Sequence, residues 1–135
     1  MSAPFEVVVV SPARPVYRGE ARFVALSAFD GEIGIAPGHA DLVGVVGIGP
    51  LRIEKGEGGG GADRFAVRGG FLKVGRGKVT VLVDQAVAPD EVDEAAVRRE
   101  LEETIAALRH PKSDEEFDQL LDRRAWCHAR LALRR

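Results

Sequence analysis

The chain has a single cysteine, Cys127, so no internal disulfide can staple its 135 residues. That fits a reducing cytoplasm. It has no apolar run near the roughly 20 residues that a membrane span requires, so direct membrane insertion is not expected. No basic stretch followed by an apolar core opens the chain between Met1 and Phe5, and no secretion signal is read there. Net charge is −2, which leaves no basic footprint for nucleic acid. The three histidines, His39, His110 and His128, lack His-x-x-x-His spacing, and there is no Cys-x-x-Cys. Neither a metal site nor a cofactor is therefore expected.

Glycine is missing altogether after Gly77: all 16 glycines fall between Gly19 and Gly77. Five of the seven prolines lie at or before Pro50. Residues 1–89 carry 10 basic and 9 acidic side chains, whereas residues 90–135 carry 9 and 12. A turn-rich half is thus joined to a glycine-free half rich in Ala, Leu, Arg and Glu. The boundary is expected at 89/90, with a β domain over 1–89 and a helical unit over 90–135.

In the first half, short β-branched and aromatic runs recur between turn signals, as in a sandwich or barrel. Strands are expected at Phe5–Val10, Arg22–Ala28, Gly34–Ile35, Asp41–Val46, Gly49–Glu54, Arg64–Arg68, Gly70–Val74 and Lys78–Asp84. In the last of these, Val79, Val81 and Val83 share one face, with Lys78, Thr80 and Leu82 on the other. Asp30-Gly31, Pro37-Gly38, Gly49-Pro50 and Gly75-Arg76-Gly77 supply turn chemistry. The run from Gly56 to Gly61 reads as a hairpin tip. A phosphate loop would need a Lys and a Ser or Thr at a following helix start, and none follows.

In the second half, Asp90 is an expected N-cap, and Val97, Leu101, Ile105 and Leu108 mark one helical face. Pro111 breaks the pattern. A second helix opens on a Ser113/Glu116 capping box, with Phe117, Leu120, Leu121 and Leu131 as its apolar stripe and Arg124 interrupting it. Acids crowd its start. Arg123, Arg124, Arg130, Arg134 and Arg135 follow without an acid after Asp122, which suits an acidic protein surface as well as the helix dipole. No nucleophile, base and oxyanion donor fall together, so a catalytic role is not expected. The fold class is α+β, mainly β, with two C-terminal helices.

The segment Asp30-Gly31-Glu32-Ile33-Gly34-Ile35-Ala36-Pro37-Gly38-His39-Ala40-Asp41-Leu42 resembles the G-E-[IL]-G-[IL]-x-P-G-H-A-x-L motif of F-type ATP synthase epsilon subunits. Supporting matches follow in family order: Val9-Val10-Ser11-Pro12, Gly49 to Ile53, Phe65 to Leu72, and Lys78 to Leu82. The resemblance implies a flattened β-sandwich of about ten strands and an antiparallel two-helix hairpin. It implies a non-catalytic central-stalk subunit, peripheral on the cytoplasmic face of the bacterial plasma membrane, bound to the gamma subunit and resting on the c-subunit ring. Glu32, with Gly31 and His39 nearby, inherits the ring contact. The hairpin would reach the catalytic beta subunits through Arg123, Arg124, Arg130, Arg134 and Arg135 and inhibit ATP hydrolysis. Some members bind ATP through [IL]-D-x-x-R-A. Here Asp93 is kept, but Ala96 replaces the arginine, so weak or absent ATP binding is expected. The alternative is a stand-alone β-sandwich binding module with a helical dimerisation tail.

Overall fold

The computed structural model describes residues 3–28, 31–56 and 61–134. The expectations on Asp30, on the middle of the glycine run and on Arg135 lie outside the described residues. Seven strands precede two helices: β1 Phe5–Val10, β2 Pro15–Ala21, β3 Phe23–Ala28, β4 Gly31–Ile35, β5 Leu42–Glu54, β6 Ala62–Gly75 and β7 Lys78–Val87. A 3-10 turn at Pro89–Glu91 leads to α1, Glu94–Leu108, and α2, Asp114–Ala132.

The strands form one sheet in the order β2-β1-β7-β6-β5-β3-β4. Every pair is antiparallel except β1 with β7. Sequence alternation decides how this sheet folds over. Val7 and Val9 from one end share a buried core with Val24, Leu26 and Ile35 from the other. The sheet therefore closes on itself as a sandwich, with Leu51, Ile53, Val79 and Val81 between its layers.

Three long strands make the corners. The β5–β6 ladder skips Val46 and Gly47, and the β6–β7 ladder skips Gly69 opposite Asp84. Counting each half of β5, β6 and β7 separately gives the ten expected segments. Gly70 fixes one corner, because its φ is +119° and a Cβ there would lie 1.7 Å from the Leu82 carbonyl oxygen.

Two local expectations change. Gly49 and Pro50 do not turn the chain; they lie inside β5, opposite Val67 and Ala66. The β3–β5 register shifts between Leu26 and Ala28, so the bulge leaves the proline no ladder bond to donate. Strand β2 was not expected, because Pro15, Arg18, Gly19 and Glu20 hide its pattern. By contrast, the Ala36–His39 turn closes through His39 N–H to the Ala36 carbonyl at 3.1 Å, with Gly38 at φ +80°. That is type II geometry, with proline and glycine in their favoured places. Arg76 and Gly77, at φ 54° and 71°, form the primed two-residue turn between β6 and β7.

Candidate functional site at the junction of sandwich and hairpin

The first helix starts later than its acids suggest. Asp93, not Asp90, is the N-cap, accepting from Ala96 N–H at 3.2 Å. Asp90 sits in the 3-10 turn that Pro89 opens. In the second helix Ser113 accepts from Glu116 N–H at 3.0 Å, but Glu116 accepts from Lys112 N–H at 2.8 Å. The box is therefore displaced by one residue on its return bond.

Helix α2 buries two adjacent faces. Leu120, Cys127 and Leu131 are buried, and the last two pack with Val97 of α1. Trp126, Ala129 and Leu133 pack instead on Ala66 of β6, beside Ile48 and Val87. Arg124 does not interrupt the working stripe, because it is exposed while Cys127 continues the buried row. Phe117 is 40% exposed and Ile105 41% exposed, so the distal end of the hairpin is loosely covered. The Trp126, Ala129, Leu133 face has 3, 4 helical spacing, but sequence reading missed it because it followed the Phe117, Leu120, Leu121, Leu131 stripe alone. Ala66 is its receptor because Ala66 and Val67 are both buried, one under the hairpin and the other in the sandwich.

Polar contacts gather around Glu100. Its Oε2 accepts from Arg130 Nη2 at 2.9 Å, from Arg123 Nε at 3.4 Å and from Cys127 Sγ at 3.4 Å. Arg130 also lies over the Trp126 ring, 5.2 Å from its centroid. Burial opposes ionisation of Glu100, yet the bonds from Arg130, Cys127 and Arg123 hold its carboxyl below the ordinary range. Burial and the neighbouring Glu100 charge push the Cys127 thiol up. Sequence reading missed Glu100, because its partners are 23 to 30 positions away.

Further arginines pin the hairpin to the sandwich. Arg64 of β6 donates to the Ala132 carbonyl at 3.1 Å, capping the end of α2. Arg134 donates to the Pro89 carbonyl at 3.2 Å. Arg14 bonds both oxygens of Glu91 at 2.8 Å, while Glu91 also accepts from Ala88 N–H. The Ala88 bond and then Arg14 hold the Glu91 carboxyl down.

The residues named from the sequence therefore fall in different places. Arg130 is turned inward, with its side chain 15% exposed, and Arg123 leans on the same glutamate. Arg124 and Arg134 lie on the surface. Gly31, Glu32 and His39 are exposed, on β4 and the turn after it. His39 Nδ1 is 2.7 Å from the Ala40 carbonyl. Glu32 borders a recess with Arg52 and Leu133, whereas His39 borders another with Phe5 and Lys78. Asp93 opens on a cleft of about 210 Å³ shared with Glu91, Ala96, Glu100 and Arg130. Among the described residues no cluster of His, Cys, Asp and Glu could hold a metal ion. Among the described residues no helix is long and apolar enough to cross a membrane.

These elements define a β-sandwich subunit with a helical hairpin folded against it. Residues 4–89 match the family described as the ATP synthase delta/epsilon chain, beta-sandwich domain, and the chain belongs to that family. It is 39% identical over 110 residues to the ATP synthase epsilon chain of Bordetella petrii, covering 82% of this chain and 77% of that one. It is 35% identical over 117 residues to the epsilon chain of Caldicellulosiruptor saccharolyticus, covering 87% and 83%. Among solved structures, a chain of the Euglena gracilis mitochondrial ATP synthase (OSCP/F1/c-ring, rotational state 1) superposes with a TM-score of 0.84 at 22% identity. That match covers 98% of this chain and 82% of the other. Epsilon chains are non-catalytic subunits of their complex, and this chain is of that kind.

Proposed function

We propose that this chain is the central-stalk subunit that couples the gamma subunit to the c-ring of a rotary F-type ATP synthase, with its hairpin acting as a brake on hydrolysis. It works on the cytoplasmic face of the bacterial plasma membrane, held there by the complex. The sandwich, residues 1–89, is the assembly unit, with Gly31, Glu32 and His39 toward the ring. The hairpin, residues 90–135, is the regulatory unit. One observation carries the brake. The hairpin rests on the sandwich through a small apolar cluster around Trp126 and a set of arginine contacts, and not through a shared core. Such a seat can compete with a second surface when the two differ by a few kcal/mol.

In the extended state Arg123, Arg124, Arg130 and Arg134 would face acidic segments of the catalytic beta subunits. Arg130 must first leave Glu100. Asp93 is occupied as an N-cap, and Glu91 and Glu100 line the same cleft, so a nucleotide phosphate would meet carboxylates there. ATP bound at low-micromolar affinity in calorimetry would overturn that part. Deleting residues 90–135 should leave the chain in the assembled complex and raise its ATP hydrolysis. Unchanged hydrolysis in an intact complex would remove the brake from the proposal.

A further inference from the structure

The chain passes from sandwich to hairpin through Ala88, the Pro89–Glu91 turn and Val92. Two adjacent residues there are held by different bodies. Glu91 is held by the sandwich: Arg14 Nη2 donates to both its carboxylate oxygens at 2.8 Å, and Ala88 N–H donates to Oε1 at 2.9 Å. Arg14 is itself fixed, in the segment between β1 and β2. Ser11 and Arg14 close that segment by exchanging backbone bonds at 3.0 and 3.2 Å, and the buried Ser11 donates its hydroxyl to the Arg14 carbonyl at 3.0 Å.

Val92 belongs to the hairpin instead. It precedes the N-cap Asp93 and packs on the cluster of Val97, Cys127 and Leu131, in the N′ and N4 places of a hydrophobic staple. A staple sets the angle at which the chain enters its helix, so Val92 turns with α1. The backbone at Val92 is extended, with φ −89° and ψ 117°. The Pro89 carbonyl lies between the two bodies and accepts twice, from Val92 N–H at 3.3 Å and from Arg134 Nη1 at 3.2 Å. Both ends of the hairpin are thereby tied to one oxygen.

We propose that the hairpin pivots between Glu91 and Val92, with Arg14 anchoring the turn to the sandwich and the Pro89 carbonyl acting as the catch that Arg134 releases. The inference deepens the brake reading, on which its functional meaning rests. It moves the mechanical joint from 89/90 to 91/92 and makes Arg14, remote from the hairpin in sequence, a positioning residue. An exposed ion pair by itself contributes little. This one engages both carboxylate oxygens, and the Ala88 bond holds the same carboxylate in place. It has only to outlast two single bonds to Pro89, each longer than its own. The apolar seat on Ala66 is built from α2 and Val92, so it leaves as the arm swings while the turn stays behind.

The test is an NMR titration of the Glu91 carboxyl in the full-length chain, compared between the parent, R14A and W126A/R134A, the last of which loosens seat and catch together. In the closed chain the Ala88 bond and then Arg14 hold that carboxyl below the ordinary range. In W126A/R134A amide exchange through α1 and α2 should rise about tenfold or more, while Glu91 still titrates as in the parent. In R14A Glu91 should move back toward the ordinary range. Glu91 titrating in the ordinary range in W126A/R134A would mean that the turn leaves with the hairpin, and overturns the pivot. Unchanged exchange in that variant overturns the catch, and an unmoved Glu91 in R14A overturns the anchor. The titration reads the joint in the free chain, whereas hydrolysis by the complex lacking residues 90–135 reads the brake, so either can fail without the other.

Discussion

The sandwich and the hairpin are held by different physics. In the sandwich, seventeen buried apolar residues form one cluster drawn from all seven strands. In the hairpin, contact with the rest of the molecule runs through Trp126, Ala129 and Leu133 on Ala66, with side-chain to backbone bonds at the rim. A shared core fails as a unit, whereas a pinned appendage can leave while its support stays folded. The difference is what the proposed brake would require, a sandwich that stays folded while the hairpin leaves it.

The largest expected effect lies in the sandwich. Gly70→Ala places a Cβ 1.7 Å from the Leu82 carbonyl oxygen at φ +119°, so β6 and β7 must separate at their corner. Destabilisation of about 4 kcal/mol or more is expected, the range of severe backbone and packing defects. Thermal unfolding should show loss of the sandwich itself. A melting curve close to the parent would mean that the corner yields, and the contrast with the hairpin would weaken.

Trp126→Ala attacks the other side. Trp126 is 6% exposed and supports both Ala66 and the Arg130 guanidinium. A loss of about 3 kcal/mol is expected, at the low end for truncating a large aromatic. Hydrogen exchange should rise through α1 and α2 and stay slow in β1, β6 and β7. Equal acceleration in both regions would show a single cooperative unit in place of two.

How far each region could be read from the sequence follows from where its contacts lie. Strand β1 was legible as a continuous β-branched run, Val7 to Val10, and the inward face of β7 because Val79, Val81 and Val83 alternate with Lys78, Thr80 and Leu82. The type II turn at Pro37-Gly38 was legible because its chemistry is local. Continuity through Gly49-Pro50 was not, since a bulge opposite Ser27 makes the proline harmless there. On α2 the row through Leu120 and Leu131 was visible, but Cys127 as its missing member and Trp126 as the start of a second row were not. The clasp at Glu100 left no local trace. Its three donors sit on the other helix, and helical periodicity says nothing about which acid an arginine will meet across a turn. The arginine cluster was therefore read as wholly outward, while Arg130 faces in.

The mildest perturbation should also be the most discriminating. Glu100→Gln keeps the shape of the side chain and removes the charge that Arg130, Arg123 and Cys127 share. A hydrogen bond to a charged partner contributes about 1.5–3 kcal/mol, and partial exposure at 30% places this one near the lower figure. The folded carboxyl is held below its unfolded value, so its stabilisation is present above the unfolded pKa of about 4.3 and fades as pH falls through the lower folded value. The parent chain should therefore lose hairpin closure in acid faster than the variant, whose hairpin is already weakened at neutral pH. Cys127 supplies the readout, because its thiol is fully buried and its pKa raised while the hairpin is closed. Alkylation of Cys127 at neutral pH should be several-fold faster in the variant, and the sandwich should melt as in the parent. Equal alkylation rates would mean that the Trp126 cluster alone closes the hairpin and that Arg130 is free to meet a partner without first being released.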